Sequence, residues 1–169
     1  DLAALRRFYD LQLETRRRKG VPAQPWRYFS LIQQHLFERG LGFVLLAYKG
    51  DDCLAGGVFL HWQRSIMCKY AASREDALEL RPNNLIFWTG ITWACEQGFT
   101  QFDMGRSELA NSGLREFKTR WGAVEEPLQY AVSGSQTPHA PGEGRLMRLA
   151  QPIIRSAPPR LGQTAGELL

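Results

Sequence analysis

An α+β fold, with a mainly antiparallel central sheet flanked by helices, is predicted by three features of this 169-residue sequence. Apolar residues recur at helical spacing at the start of the chain and again between Leu85 and Cys95. Between Phe43 and Ala72 the period shortens to that of strands, in three runs joined by segments short enough for hairpins. After Gly98 come a short strand, a polar loop and another helix. Helices set around a sheet of consecutive, hairpin-joined strands belong to the α+β class.

The first helix is predicted over residues 2–18, with Leu2, Leu5, Tyr9 and Leu13 at helical spacing, and Gly20, Pro22 and Pro25 break it. A second helix carries Phe29, Ile32 and Leu36 on one face and closes at Gly40 or Gly42. Phe43–Tyr48, Cys53–Trp62 and Ile66–Ala72 read as an antiparallel meander. Gly56-Gly57 in its middle strand signals a bulge or a close backbone approach. A polar stretch, Ser73 to Pro82, leads to Asn83-Asn84, either of which can cap a helix. That helix presents Leu85, Trp88, Thr92 and Cys95 on one side and stops at Gly98. A strand Phe99–Met104, a helix from Ser112 to Arg120 and a last strand Val124–Val132 follow, with Pro127 placing the last near an edge or bulge. The domain organisation read here is 1–132 as one domain, 133–144 as a Ser-, Pro- and Gly-rich linker, and 145–169 as a basic amphipathic helical tail.

Composition narrows the function. An apolar content of 44 % suffices for one continuous core. The chain has no apolar run long enough for a membrane span and no secretory signal. It begins at Asp1, directly at its first helix, and reads as a piece of something longer. The three cysteines, Cys53, Cys68 and Cys95, are expected to be buried, reduced thiols of a cytosolic protein. His35, His61 and His139 form no ligand cluster, so no metal is expected, and His61 at a strand end reads as structural. The charge of +4 is mild. Arg16-Arg17-Arg18-Lys19 and the arginines of 145–160 read either as a solvated helix end favoured by the helix dipole or as a contact for an anionic partner.

Gly98 to Gly122 (G-F-T-Q-F-D-M-G-R-S-E-L-A-N-S-G-L-R-E-F-K-T-R-W-G) carries two charges placed against their own pattern. Asp103 closes an apolar strand, and Lys118 borders the apolar stripe of the next helix. Active sites are where such placements are tolerated. Lys118 reads either as a snorkelling lysine covering the core or as a partly desolvated cation that stabilises negative charge on a substrate. Asp103 reads as a turn cap, accepting from amides near Gly105-Arg106-Ser107, or as a group that orients Lys118 or Arg106 or acts as a general base. Arg106, Phe117, Tyr70 and Trp88 are candidates for substrate contact, although aromatic residues such as Trp62, Tyr70 and Trp88 are more often core. No Ser-His-Asp or Cys-His nucleophile set is visible.

The order of elements resembles the Gcn5-related N-acetyltransferase (GNAT) superfamily, and the motifs resemble its FemAB-type and BioF2-like branch. The matching segments are F-Y-D-L…T-R-R-R-K-G, a helix after an Asn-rich turn ending in C-E-Q-G, then F-D-M-G-R, and G-L-R-E-F-K-T-R-W-G. They cover residues 5–132, about three quarters of the chain, and the tail suggests the exopolysaccharide-associated subgroup. The resemblance implies a GNAT-like fold and acyl or aminoacyl transfer to an amine of a bacterial peptidoglycan or exopolysaccharide precursor. Acyl-CoA or aminoacyl-tRNA would be the donor. Lys118 and Asp103 would be catalytic, and Arg81, Asn83 and Asn84 would meet a donor phosphate at a helix N-terminus. It also implies a cytoplasmic protein with the inner face of the membrane as a peripheral contact, whose partners would be a small-molecule or lipid-linked glycan precursor, a tRNA if the donor is aminoacyl-tRNA, and an upstream domain of the same protein. Two departures stand out. The superfamily's Q/R-x-x-G-x-G/A donor loop is replaced by R-P-N-N-L-I, and the first strand of such a domain does not precede Asp1. A non-catalytic module binding anionic lipid or glycan is the alternative.

Overall fold

The computed structural model describes residues 1–129, 131, 151, 152 and 154–156. Helix α1 spans Leu2–Lys19. Asp1 caps it by accepting from the Ala4 amide at 2.7 Å, and Gly20 ends it in the left-handed region. Helix α2 spans Trp26–His35, and a 3₁₀ turn, Phe37–Arg39, closes at Gly40. Strands β1 (Gly42–Lys49), β2 (Asp52–Trp62) and β3 (Ser65–Ser73) form the expected antiparallel meander. Helix α3 (Pro82–Glu96) crosses over to β4 (Gln101–Asp103), which lies parallel to β3, and α4 spans Ser112–Thr119. The sheet order is β1-β2-β3-β4.

Alternation along the strands divides the core in two. On one face Phe8, Tyr9, Phe29 and Ile32 of α1 and α2 pack on Val58 and Ala72. On the other, Ile86, Phe87 and Ala94 of α3 pack on Ala55, Phe59, Ile66 and Cys68, with Phe117 and Trp121 at the border. The Gly56-Gly57 signal resolves as close approach. A Cβ on Gly57 would stand 2.8 Å from Ile86 Cγ2 and from the Phe59 ring, and one on Gly90 would stand 2.8 Å from the same ring. Phe59 is fully buried between these two bare backbones. The β1–β2 pairing has a bulge on the middle strand itself, where Ala47 pairs with Ala55 and Tyr48 with Cys53 and Leu54 is the extra residue, and the β2–β3 pairing has one on the partner strand. Val58 pairs with Tyr70 and Phe59 with Cys68, which leaves Lys69 as the extra residue. Ile66 and Cys68 therefore face α3, whereas Tyr70 and Ala72 face α1 and α2.

Several expectations are corrected. Helix α3 buries Ile86, Phe87, Gly90 and Ala94, while Leu85, Trp88 and Cys95 are exposed. Its stripe of Leu85, Trp88, Thr92 and Cys95 is real but turns outward. Neither Asn83 nor Asn84 caps it: the N-cap is Arg81, held at φ 51, with Pro82 at the first helical position. Strand β4 is shorter than Phe99–Met104 because the Phe99 and Thr100 amides bond to Ala94 and Arg64 carbonyls. Residues 124–129 of the expected strand Val124–Val132 have no regular structure. Glu125 is instead drawn to Arg115 of α4 in a two-pronged pair at 2.8 and 2.7 Å, and Pro127 offers no amide to a neighbour. Tyr130 and Val132, the linker 133–144, and the tail apart from 151, 152 and 154–156 lie outside the described residues. Those five tail positions are helical, and Arg155 and Gln151 abut Gly20.

Candidate functional site

The sheet opens between its parallel strands. Pairing of β3 with β4 covers Ser65↔Gln101, Ile66↔Phe102 and Met67↔Asp103 and then stops, while β3 continues to Ser73. Gly105, at φ 75, still lies beside the Cys68 carbonyl, where a Cβ would stand 3.5 Å away. Beyond it the chain leaves the sheet, and among the described residues no strand covers that edge of β3.

Asp103 and Lys118 both meet at this parting. The Asp103 carboxylate accepts from the Gly105 amide at 2.6 Å, which locks the turn that ends β4. From α4, the Lys118 ammonium donates to the Gly105 carbonyl at 2.6 Å and to the Arg106 carbonyl at 3.3 Å. No Asp103–Lys118 ion pair is formed within bonding distance, but each group feels the other's charge. Burial lowers the Lys118 pKa, and the nearby acidic groups, Asp103 first, oppose that shift. Two of the three ammonium protons are engaged by the loop, and one remains for a further acceptor. Arg106 is exposed and lies 3.9 Å from Glu108. The Ser107 hydroxyl oxygen is buried with no hydrogen-bond partner among the described residues.

The other end of the uncovered β3 edge is Ser73, about 16 Å further along the strand. Ser73 joins three elements that no sequence motif connects. Its amide donates to the Thr15 hydroxyl at 3.2 Å, its carbonyl accepts from Thr15 and Arg18 at 3.3 Å each, and its hydroxyl accepts from Asn83 Nδ2 at 3.2 Å. Asn83 Oδ1 is buried without a partner. The N-terminus of α3, with exposed Arg81 and Asn84, is thereby fixed beside the strand end. Pro82 has no amide hydrogen and the Asn84 amide donates to the Arg81 carbonyl at 2.9 Å, so the Asn83 amide and the positive dipole end are what this helix start offers an anion.

The remaining candidates are elsewhere. Tyr70 lies on the α1–α2 face, donates to the Tyr28 hydroxyl at 3.1 Å, and has its pKa raised by burial and by that bond. It does not join Lys118. Phe117 packs edge-on against Phe87 at 5.3 Å and helps bind α4 to α3. Trp88 and Trp62 are 60 % and 66 % exposed, so they line no core. His61 sits among Phe43, Trp93 and Phe99, and burial lowers its pKa. Within Arg16–Lys19, Arg16 donates to the Pro22 carbonyl and Arg18 to Ser73. The adjacent cleft of about 710 Å³ mixes signs, with Arg7, Arg17 and Arg74 facing Asp10, Glu14 and Asp52. No continuous cationic surface results there. Of the thiols, Cys68 alone is buried, which pushes its pKa up to about 12, while Cys95 is exposed. Among the described residues no cluster of His, Cys, Asp and Glu is placed to hold a metal, and no helix is long and apolar enough to cross a membrane.

Residues 1–119 match the family described as "Acetyltransferase (GNAT) domain". Among solved structures, a mutant of the BH1408 protein from Bacillus halodurans superposes with a TM-score of 0.51 at 14 % identity, over 67 % of this chain and 75 % of that one. At that identity the likeness speaks for the fold. No curated protein matches significantly.

Proposed function

This chain belongs to the acetyltransferase (GNAT) domain family, and we propose that it transfers an acyl group from acyl-CoA to a primary amine of a cell-envelope or exopolysaccharide precursor. The observation that carries this reading is the parting of β3 from β4 with an ammonium at its root and a helix N-terminus at its far end. An extended thioester arm lying along the free β3 edge would put its phosphates near Arg81, Asn83 and Asn84 and its carbonyl near Lys118. The amine attacks that carbonyl directly, and the remaining Lys118 proton stabilises the oxygen as it gains charge. Asp103 acts by fixing the turn that presents the Gly105 and Arg106 carbonyls to Lys118. Arg106, at the rim beside Glu108, would meet the acceptor.

Acyl-CoA is favoured over aminoacyl-tRNA because the basic run at the end of α1 is tied to the protein's own carbonyls and interleaved with acids. A tRNA would need a broader cationic face. The FemAB-type branch, an upstream domain in the same protein, and action at the cytoplasmic face of the membrane complete the reading. The test is isothermal titration of acetyl-CoA into the domain, with Arg81→Ala and Lys118→Ala alongside. Micromolar binding weakened by Arg81→Ala is the expected result. Absence of binding would turn the assignment to aminoacyl-tRNA or to a non-catalytic module for anionic lipid or glycan, which salt-sensitive vesicle binding would identify.

A further inference from the structure

In the loop at the strand parting, one buried side-chain polar atom has no partner among the described residues. Asp103 takes the Gly105 amide, and Lys118 takes the Gly105 and Arg106 carbonyls. The next residue, Ser107, has a hydroxyl oxygen removed from solvent and from every described donor and acceptor. A buried hydroxyl without a partner is destabilising, and native structures keep few of them. It stands one residue beyond the carbonyls that Lys118 holds, on a segment pinned from both sides. Lys118 retains one proton, whereas an acyl oxygen turning into an oxyanion can accept more than one donor.

We propose that the Ser107 hydroxyl is the second donor to the acyl carbonyl, a catalytic residue beside Lys118; this rests on the acyl-transfer reading above. When the amine nitrogen bonds to the carbonyl carbon, the C=O electron pair moves to the oxygen, and Ser107 and Lys118 each donate a hydrogen bond to it. As that pair returns, the carbon–sulfur bond breaks, the thiolate leaves, and the proton lost by nitrogen ends on the released thiol. Ser107 keeps its own proton throughout. In the free protein the hydroxyl lacks its partner, and the oxyanion supplies one, so the bond strengthens as the reaction proceeds.

Ser107→Ala and Ser107→Thr test this against the wild type in three measurements: thermal unfolding, titration of acetyl-CoA, and acetyl-CoA turnover with glucosamine as the probe amine. For Ser107→Ala we expect an unchanged or raised Tm, because an unpaired polar group is removed. Acetyl-CoA affinity should stay within about threefold, and kcat should fall about 100-fold, with Ser107→Thr recovering much of it. A Tm lowered by several degrees in Ser107→Ala would mean the hydroxyl has a structural partner, and full kcat would mean it touches no reacting atom. Either overturns the role of Ser107 alone. A wild type that neither binds nor turns over acetyl-CoA overturns the acyl-transfer reading, and this role with it.

Discussion

Replacing Lys118 with Met separates a structural lysine from a catalytic one. The ammonium makes a short bond to the Gly105 carbonyl, 2.6 Å, and a longer one to the Arg106 carbonyl, 3.3 Å. A hydrogen bond to a charged donor contributes about 1.5–3 kcal/mol. The longer bond adds little. Burial of the ammonium, which also lowers its pKa, and partial exposure of the pair offset part of that. A net loss of about 1–2 kcal/mol follows, a Tm decrease of roughly 3–6 °C for a domain of this size. Turnover should fall much further, about 10²–10³-fold, because an oxyanion donor is removed and the loop it holds is released. Thermal unfolding and steady-state acetyl transfer on the same preparation measure both. Unchanged turnover in folded Lys118→Met would refute the argument, and so would a loss no greater than the unfolded fraction. The pH profiles supply a second check. Catalysis needs the ammonium, so turnover should decline as pH rises through a value below that of an ordinary lysine. Stability should move the other way. In the window between the folded and unfolded pKa values the unfolded chain holds more protons, and folding is favoured as pH rises. Lys118→Met should remove both trends.

Three further outcomes are expected. Arg81 occupies the left-handed region at φ 51, so Arg81→Gly should leave stability unchanged or raise it by about 0.5 kcal/mol after the glycine's unfolded-state entropy is counted, while weakening acetyl-CoA binding. A Tm fall of several degrees would show a structural role for the arginine side chain. Gly57→Ala should cost about 1–3 kcal/mol, read by denaturant unfolding, because its Cβ would sit 2.8 Å from Ile86 and the Phe59 ring. An undisturbed midpoint would mean that α3 shifts freely on the sheet. In native protein a thiol reagent should label Cys95 rapidly and Cys53 slowly, and it should reach Cys68, buried with its pKa near 12, only on unfolding. Rapid labelling of Cys68 would show that the strand parting opens to solvent.

How far the sequence reveals this molecule depends on whether each feature is local. The meander was legible because strand alternation and short turns are local signals. Asp103 and Lys118 were legible because each breaks the pattern of its own element, and the structure places both at one loop. Helix α3 was misread because it is apolar all round. Leu85, Trp88, Thr92 and Cys95 form as good a stripe as Ile86, Phe87, Gly90 and Ala94. What selects the second stripe is non-local: Gly90 and Gly57 together admit the Phe59 ring, and no residue within α3 records that. The last strand failed for a similar reason. A strand requires an edge to pair with, and three-residue β4 offers little, while Arg115 draws Glu125 toward α4.

Ser73 and Ser107 were invisible for a different physical reason. A hydroxyl carries no periodicity, so its burial and partners emerge only when distant elements meet. Ser73 gathers α1, β3 and α3 into one end of the open edge, and Ser107 is left unsatisfied near the other. At the start of α3 the sequence is R-P-N-N-L-I, without glycines that would let an anion approach the backbone closely. Its helix start instead holds Arg81 in a strained conformation ahead of Pro82. If phosphates bind there, side-chain charge must supply part of what backbone amides supply elsewhere. Donor binding should then weaken more with added salt than a site built from amides alone would allow.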